Sequence, residues 1–352
     1  MKSIRPTRRC STRGFTLIEL MVAMTIFLII GGAAMTLFRQ HANLFTTQQG
    51  EVGLNMNLRN ALQQIQTDGV QAGNGFFIGG ATNIANTPIG VTITNNAGSF
   101  DVLTLIQATT PAAPLAGTVC FPTSSGSATI AAGSGLTAAQ FAGGMVMFSN
   151  YTGTQLTLAT LKGATAGAGG TINLSYYPTS STGNGTNTIA NDPTGFTLTP
   201  TIVTNPPQPQ VISGTFCPQN NDFVVGLSWV QYSVDASNRL NRATSAGGAP
   251  DVVADNILGF KVGAATYQSA AGLGTLTSTS FYSFNASNQQ TATPPGYNNQ
   301  FTLIRSIRVS LIGRTPPGQF TGQNFRNSFD GGQYRIQALS LVINPRNLSM
   351  ND

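Results

Sequence analysis

The sequence predicts an α+β protein, in which a long N-terminal α-helix, transmembrane in its first half, packs on a C-terminal antiparallel β-rich domain. Three observations support this prediction. Residues 15–38 form an apolar run that contains one charge. No proline occurs between residues 15 and 87, so a helix can continue beyond the apolar run. From Asn74 onward, short β-branched segments alternate with loops rich in Gly, Ser, Thr, Asn and Pro.

The prediction divides the chain into four parts. They are a basic leader (1–14), a transmembrane helix (15–38), an amphipathic continuation of that helix (39–73) and the β-rich domain (74–352). Five of the seventeen Lys and Arg residues lie in the leader, at positions 2, 5, 8, 9 and 13, so the remainder of the chain is nearly neutral. We therefore predict no specific nucleic-acid partner. A charged fraction of only 8% favours an exported β-rich protein over a cytosolic enzyme.

The apolar run is long enough to cross a membrane. A helix over its 24 residues would span roughly 36 Å, against about 30 Å for a bilayer core. The basic leader should stay in the cytoplasm by the positive-inside rule, which sends the chain after Phe38 outward.

Three interpretations of this segment compete. It could be a secretory signal peptide cut near Gly32-Ala33-Ala34, a plain membrane anchor, or a signal cut on the cytoplasmic side of the apolar run. Glu19 favours the third, because an acidic side chain inside a membrane segment costs about 2.5–3.5 kcal/mol and is usually functional. Neither a signal peptide nor a plain anchor needs such a residue.

Residues 13–20, Arg-Gly-Phe-Thr-Leu-Ile-Glu-Leu, resemble the prepilin processing motif of type IV pilin-like proteins. The resemblance implies that a prepilin peptidase cuts between Gly14 and Phe15 and methylates the new amino terminus. It also implies that Glu19 meets the amino terminus of a neighbouring subunit when subunits assemble. Glu19 lies one helical turn beyond Phe15, on the same face as the new amine.

The helix should continue to about Gln71. Apolar residues recur at spacings of three and four, at positions 54, 58, 61, 62 and 65, and form one helical face. Glycines at positions 31, 32, 50 and 53 are points where the helix could kink. Asp68-Gly69 and Ala72-Gly73 are candidate stop signals.

Nine strands are predicted in the β-rich domain. They cover residues 89–94, 101–107, 144–149, 155–161, 171–177, 223–234, 256–262, 301–313 and 335–344. Long, weakly charged loops are expected at 163–170, 178–195, 269–296 and 315–332.

This part of the chain resembles the PilW family of minor type IV pilins. The resemblance rests on the order of degenerate motifs at residues 63–73, 101–105, 230–235, 240–242, 253–260, 306–314 and 345–348. It implies a pilin-like fold and a minor pilin that primes or caps a type IV pilus. A type II secretion pseudopilin carries the same leader and is one alternative. A pilus-tip module that binds surfaces, glycans or DNA is another.

The resemblance also implies partners and a location. The partners are prepilin peptidase, other minor and major pilins, an inner-membrane assembly platform and, before assembly, membrane lipid. The precursor would cross the inner membrane once, with a cytoplasmic N-terminus and a periplasmic C-terminal domain. After assembly the subunit would lie in the pilus at the cell surface.

The remaining chemistry is sparse. Removal of the leader leaves Cys120 and Cys217, and an even count in an exported chain predicts a disulfide, the alternative being two unrelated thiols. His41, the only histidine, has no evident partner for a metal or a catalytic triad. The glycine-rich residues 163–170 lack the Gly-Lys-Ser/Thr ending of a phosphate loop. We expect no catalytic activity, no metal and no cofactor.

Overall fold

The computed structural model describes residues 16–74, 90–94, 96, 99–120, 126–141, 144–151, 155–176, 202–204, 210–212, 217–244, 249–270, 273–277, 304–316 and 326–346. One long helix, α1 (Leu17–Gln71), precedes sixteen described strands. The strands are β1 Val91–Thr94, β2 Val102–Ala108, β3 Ala113–Pro114, β4 Ser127–Ile130, β5 Met145–Ser149, β6 Gln155–Ala166, β7 Ile172–Tyr176, β8 Ile202–Thr204, β9 Gln210–Ile212, β10 Phe223–Val234, β11 Leu240–Thr244, β12 Asp251–Ala254, β13 Ile257–Ala270, β14 Leu273–Thr277, β15 Ile304–Arg314 and β16 Ile336–Ile343.

The chain forms two units, Met1–Val52 and Gly53–Asp352, with the boundary inside α1. In the first unit, the described part of the helix exposes its apolar side chains. In the second unit, the rest of α1 and the strands form the β-rich domain. The α+β prediction, with an apolar N-terminal helix followed by an antiparallel β domain, is confirmed.

Two antiparallel sheets build the second unit. The larger sheet has the strand order β1-β2-β10-β5-β6-β7-β4, with β11 and β3 paired to β10, β12 to β11, β8 to β6 and β9 to β8. The smaller sheet has the order β14-β13-β15-β16. Each described strand pair is antiparallel, so neighbouring strands can be joined by hairpins or by longer excursions between them.

The C-terminal part of α1 packs on both sheets. Leu54, Leu58 and Ile65 are buried, as their helical spacing predicts, and they contact apolar side chains of β1, β2, β13 and β15. The helix ends after Gln71, where Gly73 adopts a φ of 77° and donates its N–H to Ile106 O at 2.8 Å.

The predicted stop at Asp68-Gly69 is wrong, because both residues lie inside α1. The glycine at position 69 lies at a close approach between helix and sheet and does not terminate the helix. A Cβ there would lie 3.1 Å from Ile343 Cγ2 on β16, so the bare backbone lets helix and sheet approach closely. The helix also runs without interruption through the glycines at positions 31, 32, 50 and 53.

The strand predictions are correct for the long apolar segments and incomplete elsewhere. β10 begins and ends where predicted, and β15 shows the alternation of buried and half-buried side chains expected between positions 306 and 311. The loop predicted at residues 163–170 is wrong in its first half, because β6 continues to Ala166 and pairs with β7. Likewise, β13 continues to Ala270 and β14 follows it, inside the loop predicted at 269–296. The predicted loop at 178–195 lies outside the described residues.

Candidate assembly site

The start of α1 carries the sequence-predicted assembly residue. Gly14 and Phe15 lie outside the described residues, which begin at Thr16. Glu19 is exposed in the first turn of the helix, and its Oε2 accepts hydrogen bonds from the backbone N–H and from the hydroxyl of Thr16, both at 2.9 Å. In return, the Glu19 N–H points to Thr16 Oγ1 at 3.4 Å.

These contacts form a capping box. Thr16 is the residue before the helix, and Glu19 is its third residue, so each side chain satisfies a backbone N–H that the helix leaves without a partner. A carboxylate at this end also interacts favourably with the helix dipole. The role of Thr16 was not predicted from the sequence. The Thr-x-x-Glu spacing at the start of an apolar helix was the signal that could have revealed it.

The first unit exposes a long apolar surface. Its most hydrophobic 18-residue window has a mean hydropathy of 2.3 and no buried residue, and α1 is the one helix among the described residues that is long and apolar enough to cross a membrane. Phe27 is 76% exposed and Phe38 is 73% exposed. A soluble monomer rarely exposes so large an apolar patch, and such a surface is typical of helices that lipid or other helices cover.

Other polar side chains in this surface satisfy their hydrogen bonds within the helix. Thr25 Oγ1 donates to the carbonyl oxygen of Met21 or Val22, at 3.1 and 2.8 Å. Thr36 Oγ1 does the same one turn after Gly32, at 2.7 Å. Glu19 differs because it carries a charge, which an apolar surrounding cannot solvate.

A second polar cluster fixes the other end of α1 to the larger sheet. Asp68 Oδ2 accepts a hydrogen bond from the Tyr232 hydroxyl at 2.5 Å and one from Arg242 Nε at 2.8 Å. Burial, and then the hydrogen bond to Asp68, raise the pKa of Tyr232. The same carboxylate raises the pKa of Arg242. The cluster therefore holds the helix at a fixed position on β10 and β11.

Cys120 and Cys217 form a disulfide. The bond joins the segment after β3 to the segment before β10, and the adjacent Val119 N–H donates to Pro218 O at 2.9 Å. This pairing is the one predicted from the two cysteines that follow the leader.

His41 is exposed on α1, and Trp229 is buried in β10. Among the described residues, no group of three or more His, Cys, Asp or Glu side chains could hold a metal ion.

Comparison with known families locates the leader motif independently. Residues 9–35 match the family described as the prokaryotic N-terminal methylation motif. No curated protein and no solved structure matches the chain significantly. The motif implies processing by prepilin peptidase and assembly with other pilins. Together with the apolar helix and the antiparallel β domain, the motif supports a type IV pilin-like protein, that is, a pilin or pseudopilin precursor.

Proposed function

We propose that the chain is a minor pilin of the PilW type, which primes or caps a type IV pilus after cleavage between Gly14 and Phe15. The single observation that carries the proposal is a carboxylate, Glu19, at the start of an exposed apolar helix that follows a processing motif. The order of PilW-like motifs in the β domain supports the assignment to a minor pilin. The proposal gives the chain no catalytic step of its own.

The geometry of Glu19 supports a role in pairing with an amine. Glu19 Oε2 lies 2.9 Å from the backbone nitrogen of Thr16, the residue that follows Phe15 in the sequence, so the carboxylate lies at the end of the helix where cleavage would release an amine. In an apolar bundle of helices, an unpaired carboxylate and an unpaired ammonium would each carry a large desolvation penalty. Both penalties disappear when the amine of one subunit pairs with the Glu19 carboxylate of its neighbour. This pairing is possible at only one axial offset between the two subunits, so it selects their register in the filament.

The apolar surface of the helix fits two successive environments, the membrane before assembly and neighbouring helices after it. Before assembly, the helix would cross the inner membrane with the leader in the cytoplasm and the β domain in the periplasm. During assembly, it would exchange lipid for neighbouring helices. Because lipid tails are as apolar as the helix, this exchange gains little hydrophobic free energy, and packing together with the Glu19 pair must provide the specificity.

Replacement of Glu19 tests the proposal. Glu19→Val should insert into the membrane and lose its leader normally, yet should be strongly depleted from purified pili. Glu19→Gln keeps the size and polarity but not the charge, and it should be depleted as well if the pairing is ionic. Thr25→Val is the matched control, because the Thr25 hydroxyl bonds within its own helix. Pili that contain both Glu19 variants at the wild-type level would contradict the proposal.

A type II secretion pseudopilin is the second candidate, since the leader motif supports it equally well. A deletion of the gene separates the two. Loss of surface pili with normal protein secretion supports the minor pilin, and the opposite pattern supports the pseudopilin.

A further inference from the structure

Two hydrophobic cores in the second unit divide along the sequence. The first core contains buried residues of α1, β1, β2, β13 and β15, and its described members all lie at positions 54–105 or 230–343. The second core is built from β3 to β7 and neighbouring segments, and its described members all lie at positions 113–224. No described residue of α1 belongs to the second core. We call the described residues between positions 113 and 224 the inserted lobe, and the structure around the first core the helix-bearing core.

The inserted lobe interrupts a hairpin. β2 and β10 are antiparallel neighbours, with Ala108 opposite Leu227, although most of the lobe lies between them in sequence. The two chain segments continue side by side beyond this pair, until Cys120 and Cys217 join them. Backbone hydrogen bonds join these two segments between the strands and the disulfide. They run from Thr109 N to Gly226 O at 2.8 Å, from Leu115 N to Asp222 O at 2.8 Å and from Val119 N to Pro218 O at 2.9 Å.

We propose that the inserted lobe is a disulfide-closed module that opens independently of the helix-bearing core, and that assembly needs only the helix-bearing core. The claim that assembly needs only the helix-bearing core rests on the proposed function. The reason for independence is that each part has a core of its own and that the lobe departs from and returns to neighbouring strands. Local units of this kind open with their own free energies.

The disulfide should stabilise the lobe selectively. It closes a loop with a sequence separation of 97 that begins and ends at the base of the lobe. A crosslink across a long loop removes conformations from the open state, and here those conformations belong to the lobe. Loss of the disulfide should therefore raise the open fraction of the lobe roughly thirty-fold to several hundred-fold and leave the helix-bearing core unchanged.

Two features join the two parts. β5 of the lobe pairs with residues 223–227 of β10 in the larger sheet, and a third, smaller apolar cluster contains side chains of both strands. In it, Met145 and Met147 of β5 lie with Ile106 of β2 and Trp229 of β10. Trp229 is the only tryptophan in the chain and is 6% exposed. Opening of the lobe removes the two methionines from this cluster, so the emission of Trp229 should shift to longer wavelength when the lobe opens.

Two matched variants of the full-length chain in detergent test the independence. Phe148 in the second core and Phe260 in the first core are both fully buried. A Phe→Ala change at either position should raise the open fraction of the part that contains it, the lobe or the helix-bearing core, on the order of a hundred-fold or more. With Phe148→Ala, and with Cys120→Ser/Cys217→Ser, hydrogen exchange should accelerate in β4 and β7 and stay unchanged in β13 and β15. Phe260→Ala should accelerate exchange in β13 and β15.

Two outcomes would overturn the independence of the lobe. In the first, Phe148→Ala accelerates exchange equally in both parts, which would show one cooperative unit. In the second, it leaves exchange unchanged in β4 and β7.

Filament incorporation tests the second statement. Phe148→Ala and the cysteine-free chain should enter pili like the wild type, and their exclusion would overturn the claim that assembly needs only the helix-bearing core. Failure of the proposed function would look different, because the wild-type chain itself would then be missing from pili.

Discussion

The strongest single polar contact that we expect to stabilise the β domain is the buried pair between Lys261 and Asp101. Their side chains are 1% and 0% exposed, and Lys261 Nζ lies 3.1 Å from Asp101 Oδ1. The ammonium also donates to the carbonyl oxygens of Asn96, at 2.6 Å, and of Ser99. Asp101 in turn accepts the N–H of Val262 at 2.9 Å, so the pair fixes the segment before β2 onto β13.

Lys261→Met removes the cation and keeps a side chain of similar length. The change leaves the Asp101 carboxylate buried without its counter-ion and leaves two carbonyl oxygens without this donor. Removal of one partner from a buried pair costs about 3–5 kcal/mol, because the remaining charge stays uncompensated. A domain whose unfolding free energy is about 5–15 kcal/mol loses a large part of its stability at this cost.

This loss of unfolding free energy can be measured by urea unfolding of the solubilised chain, with hydrogen exchange in β13 as the readout. With a denaturant slope of about 3 kcal/mol per M, the midpoint should fall by roughly 1 M or more. Lys162→Met is the matched control, since Lys162 is exposed, and the loss of an exposed lysine together with any surface ion pair should cost less than about 1 kcal/mol. Lys261→Met combined with Asp101→Asn should recover part of the loss, because no lone charge then remains. A loss below about 1 kcal/mol for Lys261→Met alone would refute the argument.

Three further predictions concern the hairpin after β10 and the packing of α1. The backbone N–H of Arg239, with other hydrogen bonds, lowers the pKa of Asp235 to about 2 from its ordinary value of 3.8. A lowered folded pKa gives stability that is present above pH 3.8 and is lost as the pH falls towards 2, so Asp235→Asn should flatten the acid limb of a stability-versus-pH curve. Gly69→Ala should be less favourable than Gly53→Ala by at least about 1 kcal/mol in thermal unfolding, because only at position 69 would the new Cβ meet a neighbouring side chain, on β16. Asp68→Asn should cost about 1–3 kcal/mol and increase hydrogen exchange at the C-terminal end of α1.

The sequence predicts those helices and strands whose own residues carry the signal, either as a repeating spacing of apolar side chains or as a long run of residues that favour strands. α1 follows from an uninterrupted apolar run and then a helical stripe ending near Ile65, and both signals are local. β10 and β15 follow because long β-branched segments are typical of strands in any surrounding. Glu19 was identifiable because a single acidic residue inside an apolar run is visible in the sequence itself.

The missed elements depend on partners distant in the sequence. β4, β11 and β12 are short or polar, and they are strands because β7, β10 and β11 provide hydrogen-bonding edges for them. The last residues of β6 were expected to be a flexible loop, yet pairing with β7 overrides their low β propensity. The Lys261–Asp101 pair could not be predicted, because no local pattern indicates that two residues so far apart become buried together.

The central claim is that the apolar helix is retained and used after cleavage on its cytoplasmic side. Mass spectrometry of the N-terminal peptide of the exported chain tests it most directly. The account predicts a chain that begins at Phe15 and carries one methyl group on its amine. A chain that begins after Ala34, with the apolar helix removed, would contradict it.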